Sequence, residues 1–109
     1  MKGCVNMTAS LSDPGALREL LQRHGLRMSK ALGQNFLINP SVCPRMAEAC
    51  GAEGCAGVLE VGPGVGVLTR ELSLAARKVV SVELDHRLLP ILKETLSGYD
   101  NVEIVQGDI

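Results

Sequence analysis

No apolar run in the sequence approaches the length needed to cross a bilayer, and the opening residues Met1-Lys2-Gly3-Cys4-Val5-Asn6-Met7 contain no apolar core of the secretory type. Both absences lead to the expectation of a cytoplasmic protein with no membrane partner. The four cysteines, Cys4, Cys43, Cys50 and Cys55, form no C-x-x-C pair, and neither histidine stands in a ligand pattern with them. A metal site is therefore not expected, and the thiols read as reduced. Aromatics are almost missing, at one Phe, one Tyr and no Trp; the 46% of hydrophobic residues still suffices for a modest core in 109 residues, which is one domain at most. Internal repeats and low-complexity tracts are also lacking.

What the chain does have is Val58-Leu59-Glu60-Val61-Gly62-Pro63-Gly64-Val65-Gly66, a short β-branched run that ends in an acid and then three glycines at alternate positions. Val67, Leu68, Glu71 and Leu72 follow at helical spacing, so the stretch reads as strand, tight loop and helix. Glycines let such a loop turn with positive φ and let a ligand lie directly against main chain. The dinucleotide fingerprint G-x-G-x-x-G would need its third glycine at position 67, which is Val67. Glu60 would repel a pyrophosphate but suits a ligand carrying an ammonium. S-adenosylmethionine (SAM) has an ammonium and a sulfonium and no phosphate, so the loop is read as a seat for that ligand rather than for a nicotinamide dinucleotide.

Along the chain, residues 1–12 show no period and are expected to be disordered or loosely attached, ahead of a domain over 13–109. Asp13 and Pro14 open a helix carrying the stripe Leu17, Leu20 and Leu21, closed by Gly25. Ser41 opens a second helix, constrained by Pro44, with Val42, Met46, Ala49 and Cys50 as its expected buried side. The glycine-loop strand is read as the central one of the full fold, with one of its edges left open in this chain. Val79-Val80-Ser81-Val82-Glu83-Leu84 is the next, then a helix from about Arg87 with Leu88, Leu89, Leu92 and Leu96 inward, then the strand Val102-Glu103-Ile104-Val105-Gln106. Strand, helix, strand, helix, strand with short connections gives an α/β fold with a parallel sheet and right-handed crossovers.

In that arrangement the three strands end along one edge, where ligands of open α/β sheets bind. Each strand brings an acid there: Glu60, Glu83 and Asp108. The physical assignment puts Glu60 near the ammonium, Glu83 on the ribose diol and Asp108 on the exocyclic amine of adenine, over the Gly62, Gly64 and Gly66 backbone. Asp85 fits a helix cap better than a ligand role. Charge is uneven: Lys2, Arg18, Arg23, Arg27 and Lys30 face only Asp13 and Glu19 in the first 35 residues, whereas the remainder is acidic. A basic front on an acidic body is compatible with a phosphate-contacting arm.

Leu32-Gly33-Gln34-Asn35-Phe36-Leu37, then Glu60 to Thr69, then Val82-Glu83-Leu84-Asp85, then Gln106-Gly107-Asp108 closely resemble the start of the rRNA adenine N6,N6-dimethyltransferases, in particular the bacterial small-subunit type. The resemblance covers the chain from about Leu17 onward and implies the N-terminal half, about three strands, of a class I SAM-methyltransferase (Rossmann-like) sheet preceded by helices. It implies that Asn35 and Leu37 cover SAM, that Gly62, Glu83 and Asp108 line it, and that Arg27 and Lys30 lie on the RNA-facing side. The implied activity is dimethylation of two adjacent adenines of small-subunit rRNA, with that rRNA or a pre-ribosomal small subunit as partner. The same group includes large-subunit antibiotic-resistance methyltransferases and a mitochondrial transcription factor. The family's catalytic tetrad, of the type N-L-P-Y, has no counterpart: no Asn-x-Pro-aromatic occurs in the sequence. The chain is therefore expected to be the cofactor-binding part, silent in catalysis by itself and prone to self-association through an open sheet edge. The alternative from another class is a non-enzymatic module that binds RNA or SAM.

Overall fold

Pro14 and Val42 each stand at the start of a helix, α1 (Pro14–Arg23) and α2 (Val42–Ala49). In α1 the Asp13 carboxylate accepts from the Gly15 amide at 3.3 Å, satisfying one of the amides a helix start leaves open, and Leu17, Leu20 and Leu21 are buried. In α2 the buried residues are Cys43 and Ala47, one turn apart, while Met46, Ala49 and Cys50 face solvent. The expected buried side is thus rotated by about one residue. The small side chains, not the long ones, meet the neighbouring helix, because a close helix approach leaves room only for them.

The computed structural model describes Leu11 and residues 13–27 and 41–109. Residues 1–10, Lys30, Asn35, Phe36 and Leu37 lie outside the described residues; Leu11, inside the expected loose start, is 3% exposed and part of the core.

Three valine-rich segments become β1 (Val58–Val61), β2 (Val79–Glu83) and β3 (Val102–Gln106), all parallel and in the order β1-β2-β3. The middle strand is β2. β1, read from the sequence as central in the full fold and open along one side in this chain, is at an edge among the described residues. The crossovers contain α3 (Val67–Ala75) and, after a 3-10 turn at His86–Leu88, α4 (Leu89–Thr95).

Because both crossovers step the same way across the sheet and share one hand, both helices lie on the same face. Val58, Val79, Val102 and Ile104 point to that face and join Leu72, Ala76, Leu88, Ile91, Leu92 and Leu96 in the core. The register, Glu60 beside Ser81 and Glu83 beside Gln106, puts Glu60, Ser81 and Glu83 there as well. Side chains of the opposite parity, Leu59, Val61, Val80, Val82, Glu103 and Val105, face the other way; Leu59 and Val61 are 60% and 59% exposed. One face is a core, and the other is bare of helices among the described residues.

Candidate functional site

The loop after β1 turns through left-handed backbone at all three alternate glycines, with φ of 74° at Gly62, 62° at Gly64 and 97° at Gly66. The three do different work. A Cβ on Gly62 would meet nothing within 4 Å, so that position is open above the main chain. A Cβ on Gly66 would stand 3.1 Å from Thr95 Oγ1 and 3.3 Å from Leu92 and Leu96 methyls. The third glycine therefore admits α4 to the loop, and α4 holds it: Thr95 Oγ1 donates to the Val65 carbonyl at 2.8 Å. Gly66 also serves as the N-cap of α3.

Glu83, at the end of β2, is 6% exposed and binds the loop from the side. It accepts from the Gly64 amide at 3.2 Å on Oε1 and from the Asp85 amide at 2.9 Å on Oε2. A carboxylate offers about four lone-pair sites, so about two remain for further donors. The Glu83 carbonyl accepts from the Gly107 amide at 3.0 Å, and the Val82 carbonyl from the Gly62 amide at 2.9 Å. All three strand ends are thereby tied together at one rim. Asp108 follows Gly107 there and is exposed.

Glu60 lies deeper. Two positions along the register separate its level from that of Glu83, about 7 Å at the rise of a parallel strand. It is 7% exposed, and one oxygen, Oε1, accepts from both Thr69 Oγ1 at 2.6 Å and Ser81 Oγ at 2.7 Å. Burial pushes its carboxyl above the usual glutamate range; the Thr69 and Ser81 hydroxyls pull it back in part, and the charge of Glu83 adds to the rise. Glu60 thus fastens the start of α3 to β2 beneath the loop. The three acids share the carboxyl end of the sheet, but as a staircase: Glu60 inside, Glu83 at the rim, Asp108 in solvent.

Asp85 accepts from the Arg87 amide at 2.9 Å and pairs with the Arg87 guanidinium at 2.7 Å, capping the 3-10 turn. The Arg87 hydrogen bonds hold its carboxyl down at about 2. Arg27 is exposed just beyond α1. A cavity of about 430 Å³ between α2 and α3, lined by Arg45, Glu48, Glu53 and Glu71, contains none of these residues. Among the described residues no group of acids, cysteines and histidines has the makings of a metal site, and no helix is long and apolar enough to cross a membrane.

The sequence reading did not single out Thr69, Ser81 or Thr95 as loop supports, nor Leu84 and Ile109, apolar side chains 64% and 73% exposed directly after Glu83 and Asp108. Ser81 carried a usable signal: it is the one hydroxyl among the valines of its strand. Thr95 carried none, since its partner is 30 residues away.

A family model described as "Ribosomal RNA adenine dimethylase" matches residues 25–109. The "Ribosomal RNA small subunit methyltransferase A" of Geobacillus thermodenitrificans is 47% identical over 103 residues, 94% of this chain and 35% of that protein. The protein of the same name from Shouchella clausii is 41% identical over 105 residues, 96% of this chain and 36% of that one. The chain thus spans about a third of the length of these relatives. Among solved structures, the 23S rRNA methyltransferase ErmE superposes with a TM-score of 0.60 at 46% identity, over 64% of this chain and 29% of that one. A dimethyladenosine transferase from Plasmodium falciparum gives 0.58 at 33% identity, over 64% and 26%. A family match that runs from the end of α1 through β3 and includes the whole glycine loop settles the kinship, and the chain belongs to the ribosomal RNA adenine dimethylase family.

Proposed function

We propose that the chain is the cofactor-binding part of a SAM-dependent enzyme that dimethylates N6 of two adjacent adenines in small-subunit rRNA. The observation that carries this reading is the Glu83 carboxylate, buried, fixed by the Gly64 and Asp85 amides and retaining acceptor capacity for the two hydroxyls of a ribose. Gly62, with nothing above it, lets the ligand approach the main chain, Gly64 turns the loop toward Glu83, and Asp108 accepts from the adenine amine. Leu84 and Ile109 offer apolar surface to the purine faces. Asn35 and Leu37 cover the ligand by family resemblance. Glu60 acts through Thr69 and Ser81 as a positioning residue, its buried negative charge favouring a cation above the loop.

When bound, SAM supplies a methyl group on a sulfonium. The residues of this chain bind and orient it. They include no counterpart of the N-L-P-Y tetrad that would hold the adenine amine. Arg27 and Lys30 contribute to the RNA-facing side, where cations neutralise phosphate. The names of the curated relatives favour the small-subunit RNA; the likeness to ErmE favours, as the second reading, a large-subunit RNA.

Calorimetric titration tests the cofactor reading. SAM is expected to bind the chain saturably, NAD is not, and Glu83→Ala is expected to weaken SAM binding at least tenfold. A wild-type chain that ignores SAM, or a Glu83→Ala chain that binds it equally well, would overturn the reading. In the same preparation, incubation with labelled SAM and small-subunit RNA is expected to give no methyl incorporation.

A further inference from the structure

We propose that Glu94 is a positioning residue of the cofactor seat: by holding the end of α1 it fixes the last turn of α4, the turn that anchors the glycine loop. Arg23, the last residue of α1, donates to Glu94 from Nη2 to Oε2 at 2.8 Å and from Nη1 to Oε1 at 3.4 Å. His24, the next residue, donates from Nε2 to Oε1 at 2.9 Å. The Arg23 and His24 hydrogen bonds hold the Glu94 carboxyl below the usual glutamate range, so it remains an acceptor for both. Among the described residues these are the hydrogen bonds that join α1 to another element.

Two observations argue that the contact serves the loop rather than α4 itself. The C-terminal end of a helix carries negative partial charge, so a carboxylate in the last turn of α4 gains nothing from its own helix. Its neighbour Thr95 points to the other side and donates to the Val65 carbonyl at 2.8 Å, while Leu92 and Leu96 of the same region crowd Gly66. One turn of α4 thus has the end of α1 on one side and the glycine loop on the other.

The apolar and polar contacts of α1 divide the work. Leu17, Leu20 and Leu21 share a core cluster with Leu88, Ile91 and Leu92, and such contact is non-directional, leaving α1 free to rotate against α4. The planar fork of Arg23 on a carboxylate is directional and selects one orientation. That orientation also sets the direction in which the chain leaves α1 at Gly25, ahead of Arg27 and of the Asn35 and Leu37 that the resemblance places over SAM. The consequence for SAM rests on the cofactor reading; the link from Glu94 to the loop does not.

Amide hydrogen exchange of the ligand-free chain, followed by SAM titration, tests the inference on Glu94→Lys. Lysine suits the end of α4 and repels Arg23, and the Glu94 side chain is 30% exposed, so the fold accepts it. The pair is exposed and the effect modest: the Gly64 and Gly66 amides, which bond within the seat, are expected to exchange about fivefold faster and SAM to bind about fivefold more weakly. The Val79 amide of β2 is expected to exchange as in the wild type. Arg23→Glu combined with Glu94→Lys restores a pair of reversed sign and is expected to bring both readings back to within about twofold of the wild type. Gly64 and Gly66 exchange unchanged in Glu94→Lys overturns the inference. So does equal acceleration at Val79, which is general loosening, and so does a double variant as loose as Glu94→Lys. A wild type that ignores SAM removes the cofactor reading alone, because the exchange of the ligand-free chain still decides whether Glu94 holds the loop.

Discussion

The two faces of the sheet reverse the usual arrangement of polar and apolar side chains. The covered face contains Glu60, Ser81 and Glu83 among its aliphatic residues, all less than a tenth exposed; the bare face displays Leu59, Val61 and Val105. Position in the crossover explains both. The covered face runs up under the glycine loop, and the loop's amides and the hydroxyls near it need acceptors, which buried carboxylates supply. The bare face serves no loop and, apart from Glu103 on β3, is hydrocarbon. Solvent exposure thus says little about where chemistry resides in this molecule, whereas proximity to the strand carboxyl ends says a great deal.

The largest test of that contrast is Leu72→Ala, in the core against Val79, where Leu72 is 3% exposed. A buried Leu→Ala change costs about 2–5 kcal/mol. In a domain this small the urea unfolding transition is expected to disappear or to move to the lowest denaturant concentrations. A shift as small as that of a bare-face substitution would break the comparison.

Next in size is the pair Gly66→Ala and Gly62→Ala. Both force an L side chain into left-handed backbone, at about 1 kcal/mol, but only Gly66→Ala also presses on Thr95, Leu92 and Leu96. Gly66→Ala is expected to cost about 2–3 kcal/mol by urea denaturation and Gly62→Ala about 1. Equal costs would remove the distinction between a glycine facing a helix and one facing open space.

A pH profile sharpens the account of the covered face. The Glu60 pKa is raised in the folded chain, so from the ordinary glutamate range up to that higher value the folded state holds more protons than the unfolded one. Stability is then expected to fall as pH rises through this window and to level off above it. Glu60→Gln should flatten that limb. Asp85 has the opposite sign: its stabilisation is present above the usual aspartate range and is lost as pH falls toward about 2, a small effect at an exposed pair. Thermal melts from pH 2 to 8 on the wild type and Glu60→Gln read both limbs, and an unchanged limb in Glu60→Gln would assign the slope elsewhere.

The smallest expected effect is Leu59→Ser on the bare face, within about 0.5 kcal/mol by urea denaturation. A larger loss would mean that Leu59 is buried in the folded chain.

Much of this fold was legible because its signals are local. Glycine and proline marked the helix ends, β-branched runs marked the strands, and the helix-strand alternation fixed the parallel pairing. Strand order was not local: parallel pairing of successive strands leaves open which way each crossover steps, and here both step the same way, giving β1-β2-β3. The site divided in the same way. That Glu60, Glu83 and Asp108 gather at one end followed from strand lengths, but the depth of Glu60 followed from its parity with Ser81 across the sheet, a register that no single segment contains. The buried side of α2 failed for a related reason. Hydrophobicity ranked Met46 above Ala47, and the contact with α3 selected the smaller.

The hydrogen bond from Thr95 to Val65 has a consequence for biosynthesis. The turn that would seat the ligand is translated early, yet the helix that closes it appears 30 residues later. While the ribosome is still adding the second strand, the turn has neither its Thr95 anchor nor the leucines that press on Gly66. The nascent chain therefore acquires a rigid seat only once α4 has emerged, and arrest of translation before that point should yield a product that the cofactor cannot protect from proteolysis.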